Sequence, residues 1–153
     1  AILLSVAVPS FRSMVINSRL TTQTHDMIAA INLARSEAIK RNSTVTLCRT
    51  RTAGATACDA ANAEWKHWII RASNGTIIRR GRINTYGDTI YVSSTLVNDR
   101  ADFGSDGLTR SNGVLATDLG IGVCSTNLKA SNIKQVTLGA GSRIATETTS
   151  GDC

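Results

Sequence analysis

The sequence predicts an α+β fold in which a long N-terminal α-helix packs on an antiparallel β-sheet head. Two features of its 153 residues point to this fold. Residues 10–41 contain neither glycine nor proline, and their apolar residues recur mostly at helical spacings. Residues 42–153 contain short stretches of β-type residues, separated by turns rich in glycine, asparagine and aspartate. The length is that of one domain, and 42% hydrophobic residues are sufficient for a buried core.

The predicted helix covers residues 1–41 and has two parts. Ala1–Val8 is an apolar run, much shorter than the roughly 20 residues that span a bilayer. We therefore expect this run to be the back part of a longer apolar helix. If residues 1–41 are helical throughout, they extend for about 60 Å, which is more than a domain of this size can cover. The N-terminal part should then project toward a membrane or partner helices, while the amphipathic part packs on the head.

The predicted head comprises residues 42–153 and begins with the alternating stretch Thr44–Cys48. Two further stretches, Trp65–Arg71 and Thr76–Ile83, flank an Asn74-Gly75 step that favours a tight hairpin turn. The other strand candidates are Thr89–Ser93, Gly113–Ala116, Gly120–Cys124 and Gln135–Leu138.

Four cysteines could act as metal ligands, reactive thiols or two disulfides. Zinc sites usually pair ligands two to four residues apart, whereas nine residues separate Cys48 from Cys58 and 28 separate Cys124 from Cys153. An even number of cysteines, in a chain that starts with a membrane-like segment, favours disulfides in an oxidising compartment. We predict the pairs Cys48–Cys58, which closes a loop rich in Arg and Thr, and Cys124–Cys153, which ties residue 153 to a strand.

The residues do not form a pattern typical of an enzyme. The chain has two histidines, and neither His25 nor His67 lies in motif spacing with a nucleophile. The paired glycines after residue 119 and after residue 138 are not followed by a helix start, so they are weak as phosphate-binding loops. We therefore predict no catalytic residues, no cofactor, no metal and no small-molecule substrate.

Charge is distributed unevenly along the chain. Residues 1–82 hold 12 basic and 4 acidic side chains, whereas residues 83–153 hold 5 basic and 7 acidic ones. Thirteen of the 17 cations are arginines, whose planar fork suits phosphate and carboxylate. The asymmetry fits an anionic partner such as nucleic acid, a lipid surface or an acidic neighbouring subunit. The alternative is a solvated basic face that only aids solubility.

The helix and the start of the head contain runs that match a known family. The runs are Asn17–Gln23, Leu33–Arg41 and Val45–Cys48. The opening Ala1–Phe11, the stretch from Cys48 to Trp68, the Phe103–Gly107 turn and the two late cysteines also fit. Together they resemble the GspH/FimT family, which comprises minor type IV pilins and type II secretion pseudopilins. The resemblance is dense in residues 9–48 and thin after about residue 83.

The resemblance implies a type IV pilin-like fold and a structural subunit that takes part in type IV pilus assembly, in an initiation or tip complex. It implies other major and minor pilins as partners. It also implies a single-pass inner-membrane precursor with a periplasmic head, which later enters a pilus at the cell surface. A leader peptide and an assembly glutamate are further expectations that fall outside these 153 residues. A type II secretion pseudopilin is the alternative within the same family. In each case we expect Phe11, Val15 and Leu20 to form the contact stripe of the helix.

A DNA-binding receptor for natural transformation is a further hypothesis. Some family members linked to DNA uptake carry a Gly-Arg-x-Arg motif in the C-terminal tail, where this chain has Gly141-Ser-Arg143-Ile, with one arginine instead of two. A second basic cluster lies on the predicted hairpin, with Lys66 at the far end of one arm. On a strand, adjacent residues point to opposite faces, so at most two of the three arginines on the second arm share a surface. The candidate DNA-binding residues are Arg71, Arg79, Arg80, Arg82 and Arg143.

Overall fold

The computed structural model describes residues 2–87, 89–139, 141 and 143–153, with residues 2–10 described by their backbone. Helix α1 spans Ile2–Arg41 and is followed by a series of strands. The strands are β1 Val45–Thr50, β2 His67–Ala72, β3 Ile77–Arg82, β4 Tyr91–Ser94, β5 Arg100–Phe103, β6 Thr109–Ser111, β7 Val114–Leu115, β8 Asp118–Cys124, β9 Ile133–Gly139 and β10 Ile144–Thr149. A short 3-10 turn, Val97–Asp99, precedes β5.

Helix α1 ends at Arg41 for a local reason. Asn42 adopts a left-handed conformation with φ 48°, which asparagine tolerates better than most residues. The amide of Asn42 donates to the carbonyl of Ile39, and the amide of Ser43 donates to the carbonyl of Ala38. These two hydrogen bonds are those of a Schellman C-cap, which satisfies carbonyls at the end of the helix.

The strands form two antiparallel sheets. The larger sheet has the strand order β3-β2-β1-β5-β6-β7, and the smaller sheet has the order β10-β9-β8-β4. Strands β3 and β7 are thus the two edges of the larger sheet. The hairpin of β2 and β3 turns at Gly75, whose φ is 90° and whose amide donates to the carbonyl of Ala72. Glycine adopts this conformation without steric cost, as the Asn-Gly signal predicts.

The hydrophobic core lies between α1 and both sheets. Leu20, Met27, Ile31, Ala34 and Ala38 follow one another at intervals of three, four or seven residues along one face of the helix, and all are fully buried. Because residues on both sides of position 41 contribute to this core, the helix and the head fold as one unit. Their partners include Val45, Leu47, Trp65, Ile70 and Phe103 on the side of the larger sheet, and Val92, Ile121, Val123, Val136 and Leu138 in the smaller sheet.

The structure confirms the predicted α+β architecture, with one long helix packed on antiparallel sheets. The predicted hairpin and the predicted turn at Gly104–Gly107 are present, and the amide of Gly107 donates to the carbonyl of Gly104. Strands β5, β6 and β10 do not coincide with predicted strands. The first two have four and three residues, and β10 is mostly exposed, so none of them carries a strong alternating signal.

Candidate interaction surfaces

The N-terminal part of α1 exposes apolar side chains to solvent. Phe11 and Met14 are 69% and 67% exposed, and Val15 is half-buried. Burial against the head begins at Ile16, which is 8% exposed. Residues 11 and 14 lie three positions apart, so they share one face of the helix. The helix therefore continues beyond the head with an uncovered apolar face.

Leu20 requires a correction to the predicted contact stripe. Its side chain has no exposed surface, because it lies inside the core cluster of the head. A residue without accessible surface cannot contact a neighbouring subunit. Apolar spacing along a helix is the same whether a face meets its own sheets or another helix, which explains the error. Phe11 and Val15 keep accessible surface and remain candidates.

The β2–β3 hairpin carries four of the five candidate arginines. Arg80 lies opposite Ile69 and Arg82 opposite His67, whereas Arg79 lies opposite the core residue Ile70. Cross-strand partners share a face of a sheet, so Arg80 and Arg82 lie on the face away from the core and Arg79 on the other. The structure thus separates Arg79 from its two neighbours.

Arg71 lies on the same strand face as Ile69, but its cross-strand partner is Ile77 rather than an arginine. The register shifts between Ile70 and Arg71, because one residue of β3 bulges out of the ladder. Sequence periodicity could not predict the position of this bulge. We call Arg71, Arg80 and Arg82 the outer-face arginines.

The loop closed by Cys48 and Cys58 lies against the outer-face arginines. Cys48 is the cross-strand partner of Ile69, which in turn lies opposite Arg80. The Nη2 atom of Arg80 donates to the carbonyl of Ala55 within this loop, at 3.3 Å. The loop therefore borders the basic face and restrains one of its side chains.

The structure contains two disulfides. Cys48 is bonded to Cys58, with their Cα atoms 5.6 Å apart, and Cys124 is bonded to Cys153, with their Cα atoms 5.7 Å apart. The first bond closes the loop after β1, and the second attaches residue 153 to the end of β8. Both bonds thus attach a connecting segment or residue 153 to an interior strand of a sheet.

Arg143 lies on a different part of the molecule. It precedes β10 at the edge of the smaller sheet and is exposed. The neighbouring position 142 of the tail motif lies outside the described residues. Arg143 therefore belongs to another sheet than the outer-face arginines.

Most other cations of the head are neutralised by nearby carboxylates. The Nε atom of Arg49 is 3.0 Å from Asp99, and Arg49 and Arg51 both contact Asp59. Burial alone would raise the pKa of Asp59, but the two arginines outweigh it and hold the pKa below its usual value. Within the described residues, none of these ion pairs includes the three outer-face arginines, and none includes Arg79 or Arg143. Their charge is available to a partner.

The described part of the chain contains no group of three or more His, Cys, Asp or Glu side chains that could hold a metal ion. His25 is exposed on α1, and His67 lies on β2, so the two histidines belong to different elements.

One long helix packed on antiparallel sheets defines a type IV pilin-like protein. Two crystal structures of the type IV minor pilin FimU from Pseudomonas aeruginosa strain PAO1 share this fold. The structure in space group P65 has a TM-score of 0.59 at 15% identity, over 83% of this chain and 91% of that chain. The structure in space group P21 has a TM-score of 0.62 at 17% identity, over 86% and 90% of the two chains.

A family model described as type II transport protein GspH matches residues 23–142, and the chain belongs to this family. No curated protein matches the chain. Family and fold together indicate a structural subunit of a pilus or pseudopilus. Among the described residues, no helix has a stretch both long and apolar enough to cross a membrane.

Proposed function

We propose that this chain is a minor pilin that takes part in assembling a type IV pilus, in an initiation or tip complex. In this proposal the N-terminal helix anchors the subunit in the inner membrane, with the head in the periplasm, and later packs against the helices of other pilins. The observation that carries the proposal is the exposed apolar face at Phe11 and Met14 on a helix that extends beyond its own head.

The exposed apolar side chains in this part of the helix require a packing partner outside the head. Residues 11–14 are exposed, so this part of the helix lacks the packing of an apolar face from which most helical stability in proteins comes. Burying a Phe or Met side chain contributes about 1.5–3 kcal/mol, so packing against other helices or lipid stabilises the exposed segment. The expected mode is a helix that lays its apolar face against other helices.

The test is a Phe11→Glu/Met14→Glu variant of the full chain, produced in cells as the sole copy of the protein. We expect at least ten-fold less of this variant in sheared filaments, because a charged residue cannot be buried between apolar helices. Ala130→Glu introduces a charge on an exposed turn of the smaller sheet and serves as the control. Normal incorporation of the double variant would refute this role of the helix.

A pseudopilin of a type II secretion system is the alternative, and the family model that matches residues 23–142 favours it. Deleting the chain from its native host separates the two. Loss of surface pili with normal secretion supports the pilus role, whereas loss of secretion with normal pili supports the pseudopilus role.

DNA binding is a second candidate function, favoured by the outer-face arginines. Arg71, Arg80 and Arg82 lie on one face without a carboxylate partner in the described part of the chain. Phosphate contacts require cations alone and give binding without sequence preference. We propose that a DNA strand would contact this face rather than Arg79 or Arg143.

This candidate is tested by DNA affinity of the full chain across a salt series. An Arg71→Gln/Arg80→Gln variant should bind more weakly and show a shallower salt dependence, by about one unit of slope for each lost phosphate contact. Arg79→Gln/Arg143→Gln removes the same charge from elsewhere. Equal losses in both variants would contradict a DNA site on the outer face, and undetectable binding at low salt would exclude DNA binding altogether.

A further inference from the structure

A cationic cavity lies at one end of the β2–β3 hairpin. Its volume is about 360 Å³, and it is lined by Lys66, His67, Arg82 and the turn of residues 83–87. We call it the base pocket. None of these lining residues is acidic.

The base pocket lies at the end of the head from which α1 emerges. The amide of Asn84, on the turn, donates to Oε1 of Gln23 on the helix at 3.0 Å. The guanidinium of Arg19 lies over the ring of Tyr86, 4.8 Å from its centroid. Arg19 is five residues beyond the exposed Met14, which is about 7 Å along the helix axis. The opposite end of the head, where Gly107 approaches Ile39, lies about 30 Å away along the helix.

Several polar groups in and behind the base pocket have few or no hydrogen-bond or ion-pair partners within the chain. Lys66 has a carboxylate neighbour, Glu64, at 3.8 Å, and both side chains of this pair keep solvent exposure. Arg82 has no carboxylate partner among the described residues. The Nδ1 atom of His67 is buried and makes no hydrogen bond there. Gln23 is 2% exposed, and its Nε2 atom also makes none. An anion with several oxygen atoms would accept hydrogen bonds from Lys66 and Arg82, the two cationic side chains that line the pocket.

We propose that the base pocket binds the phosphate of an anionic phospholipid headgroup. The inference rests on the proposed membrane anchoring of the helix, and it adds a contact that positions the head over the membrane surface. The location of the pocket favours a lipid over nucleic acid. The helix extends from the head beside the pocket, and its residues there include the exposed Phe11 and Met14 with the exposed Arg12 between them. A cation among apolar residues at this point is typical of a membrane interface.

Vesicle binding of the full chain tests the lipid. Vesicles of phosphatidylcholine are compared with vesicles in which about a third of the lipid is phosphatidylglycerol, since anionic lipid attracts each nearby cation. Lys66→Gln/Arg82→Gln should reduce the preference for anionic vesicles by about 10- to 30-fold. Arg79→Gln/Arg143→Gln removes the same charge outside the pocket and should reduce it by less than about three-fold. Binding to phosphatidylcholine alone should be unchanged in both variants. If both variants lost the preference for anionic vesicles equally, the preference would come from the overall charge of the protein and not from the pocket, which would overturn the proposal.

The two histidines provide a second readout of the same pocket. Inorganic phosphate should shift the ring NMR signals of His67 in a saturable way, while those of His25 on the exposed helix face stay unchanged. Sodium chloride at equal ionic strength should produce neither effect, and Arg82→Gln should abolish the shift at His67. Absence of any specific shift would refute phosphate binding.

The sources of the phosphate are distinguished by combining both readouts. A His67 response to phosphate without preference for anionic vesicles would assign the pocket to a soluble phosphate and overturn the lipid. A short DNA duplex that shifts the His67 signals, and whose binding is weakened more by Arg82→Gln than by Arg79→Gln, would assign the pocket to nucleic acid and overturn the lipid. Failure to bind phosphatidylcholine would contradict the membrane anchoring of the proposed function, while the histidine signals would still report on the pocket.

Discussion

The indole nitrogen of Trp65 donates a hydrogen bond of 3.0 Å to the carboxylate of Asp99. Asp99 is 1% exposed and accepts three more hydrogen bonds, from Nε of Arg49 on β1, from the hydroxyl of Ser94 on β4 and from the amide of Ala63. One carboxylate therefore connects the larger sheet, the smaller sheet and the loop that follows the first disulfide. This network positions the segment between the first disulfide and β2.

Removing Asp99 should strongly destabilise the head. Asp99→Ala removes the more buried of the two carboxylates that lie 3.0 Å from the buried Arg49 guanidinium. Breaking a buried pair in this way costs about 3–5 kcal/mol. Urea denaturation of the full chain measures the loss. Asp118→Ala, at an exposed site, should change the free energy of unfolding by less than about 0.5 kcal/mol. A loss below about 1 kcal/mol for Asp99→Ala would show that Asp59 alone compensates Arg49.

Two apolar positions on α1 should respond in opposite ways to truncation. Leu20→Ala empties a fully buried site and should lower the free energy of unfolding by about 2–5 kcal/mol. Phe11→Ala should change it by less than about 0.5 kcal/mol but reduce incorporation into filaments, because Phe11 is exposed. Thermal or urea unfolding measures the first effect and filament content the second. Similar stability losses at both positions would contradict the observed boundary of the core.

Each disulfide should contribute to stability according to the loop that it closes. The bonded cysteines are separated by 10 and by 29 positions, for which the chain-entropy model gives about 2.7 and about 3.6 kcal/mol. Paired Cys→Ala variants, compared by urea denaturation, test this order. If Cys124→Ala/Cys153→Ala left the stability unchanged, the entropy of the unfolded chain could not be the main contribution of that bond.

Acid should weaken the turn between β5 and β6. A hydrogen bond from Arg110, followed by one from the amide of Leu108, holds the pKa of Asp106 well below its usual value of 3.8. Because the pKa is lower in the folded state, this stabilisation is fully present above about pH 4 and is lost as the pH falls toward the folded pKa. The melting temperature should therefore decline more steeply below about pH 4 in the wild type than in Asp106→Asn. Parallel pH profiles would contradict a stabilising role of the pair.

The β2–β3 hairpin depends on the absence of a side chain at Gly81. A Cβ atom there would overlap the indole ring of Trp68, its cross-strand partner. Gly81→Ala should displace the ring, alter tryptophan fluorescence and cost about 1–3 kcal/mol. Gly54→Ala is the control, since a Cβ at Gly54 has open space around it. Unchanged fluorescence and stability in Gly81→Ala would show that the ring moves away without cost.

The long helix and the β2–β3 hairpin could be predicted from the sequence because the signals for them are local. A run of 32 residues without glycine or proline, ending in basic residues, predicts most of α1 and its end at Arg41. An Asn-Gly step similarly determines the hairpin turn. The division of the strands into two sheets depends on long-range pairing between segments of weak periodicity, such as β5 and β10, and was not predictable from local patterns.

The candidate surfaces were less predictable for the same reason. Sequence spacing placed Arg80 and Arg82 on one face, but the bulge beside Arg71 and the burial of Leu20 depend on tertiary packing. The base pocket was also missed, because its lining comes from β2, β3 and a turn that bonds to Gln23, about 60 residues earlier in the chain. Asp99 has only the short Asn98-Asp99 turn signal, which does not reveal a buried carboxylate.

The arginines of β3 have a consequence for the solubility of the subunit. An edge strand presents unpaired backbone groups to which a second copy could add a strand, which is a common route to aggregation. If two β3 edges met, arginines of both copies would be brought close together, and like charges at such short distances repel. The arginines of this edge thus also discourage pairing between copies of the chain.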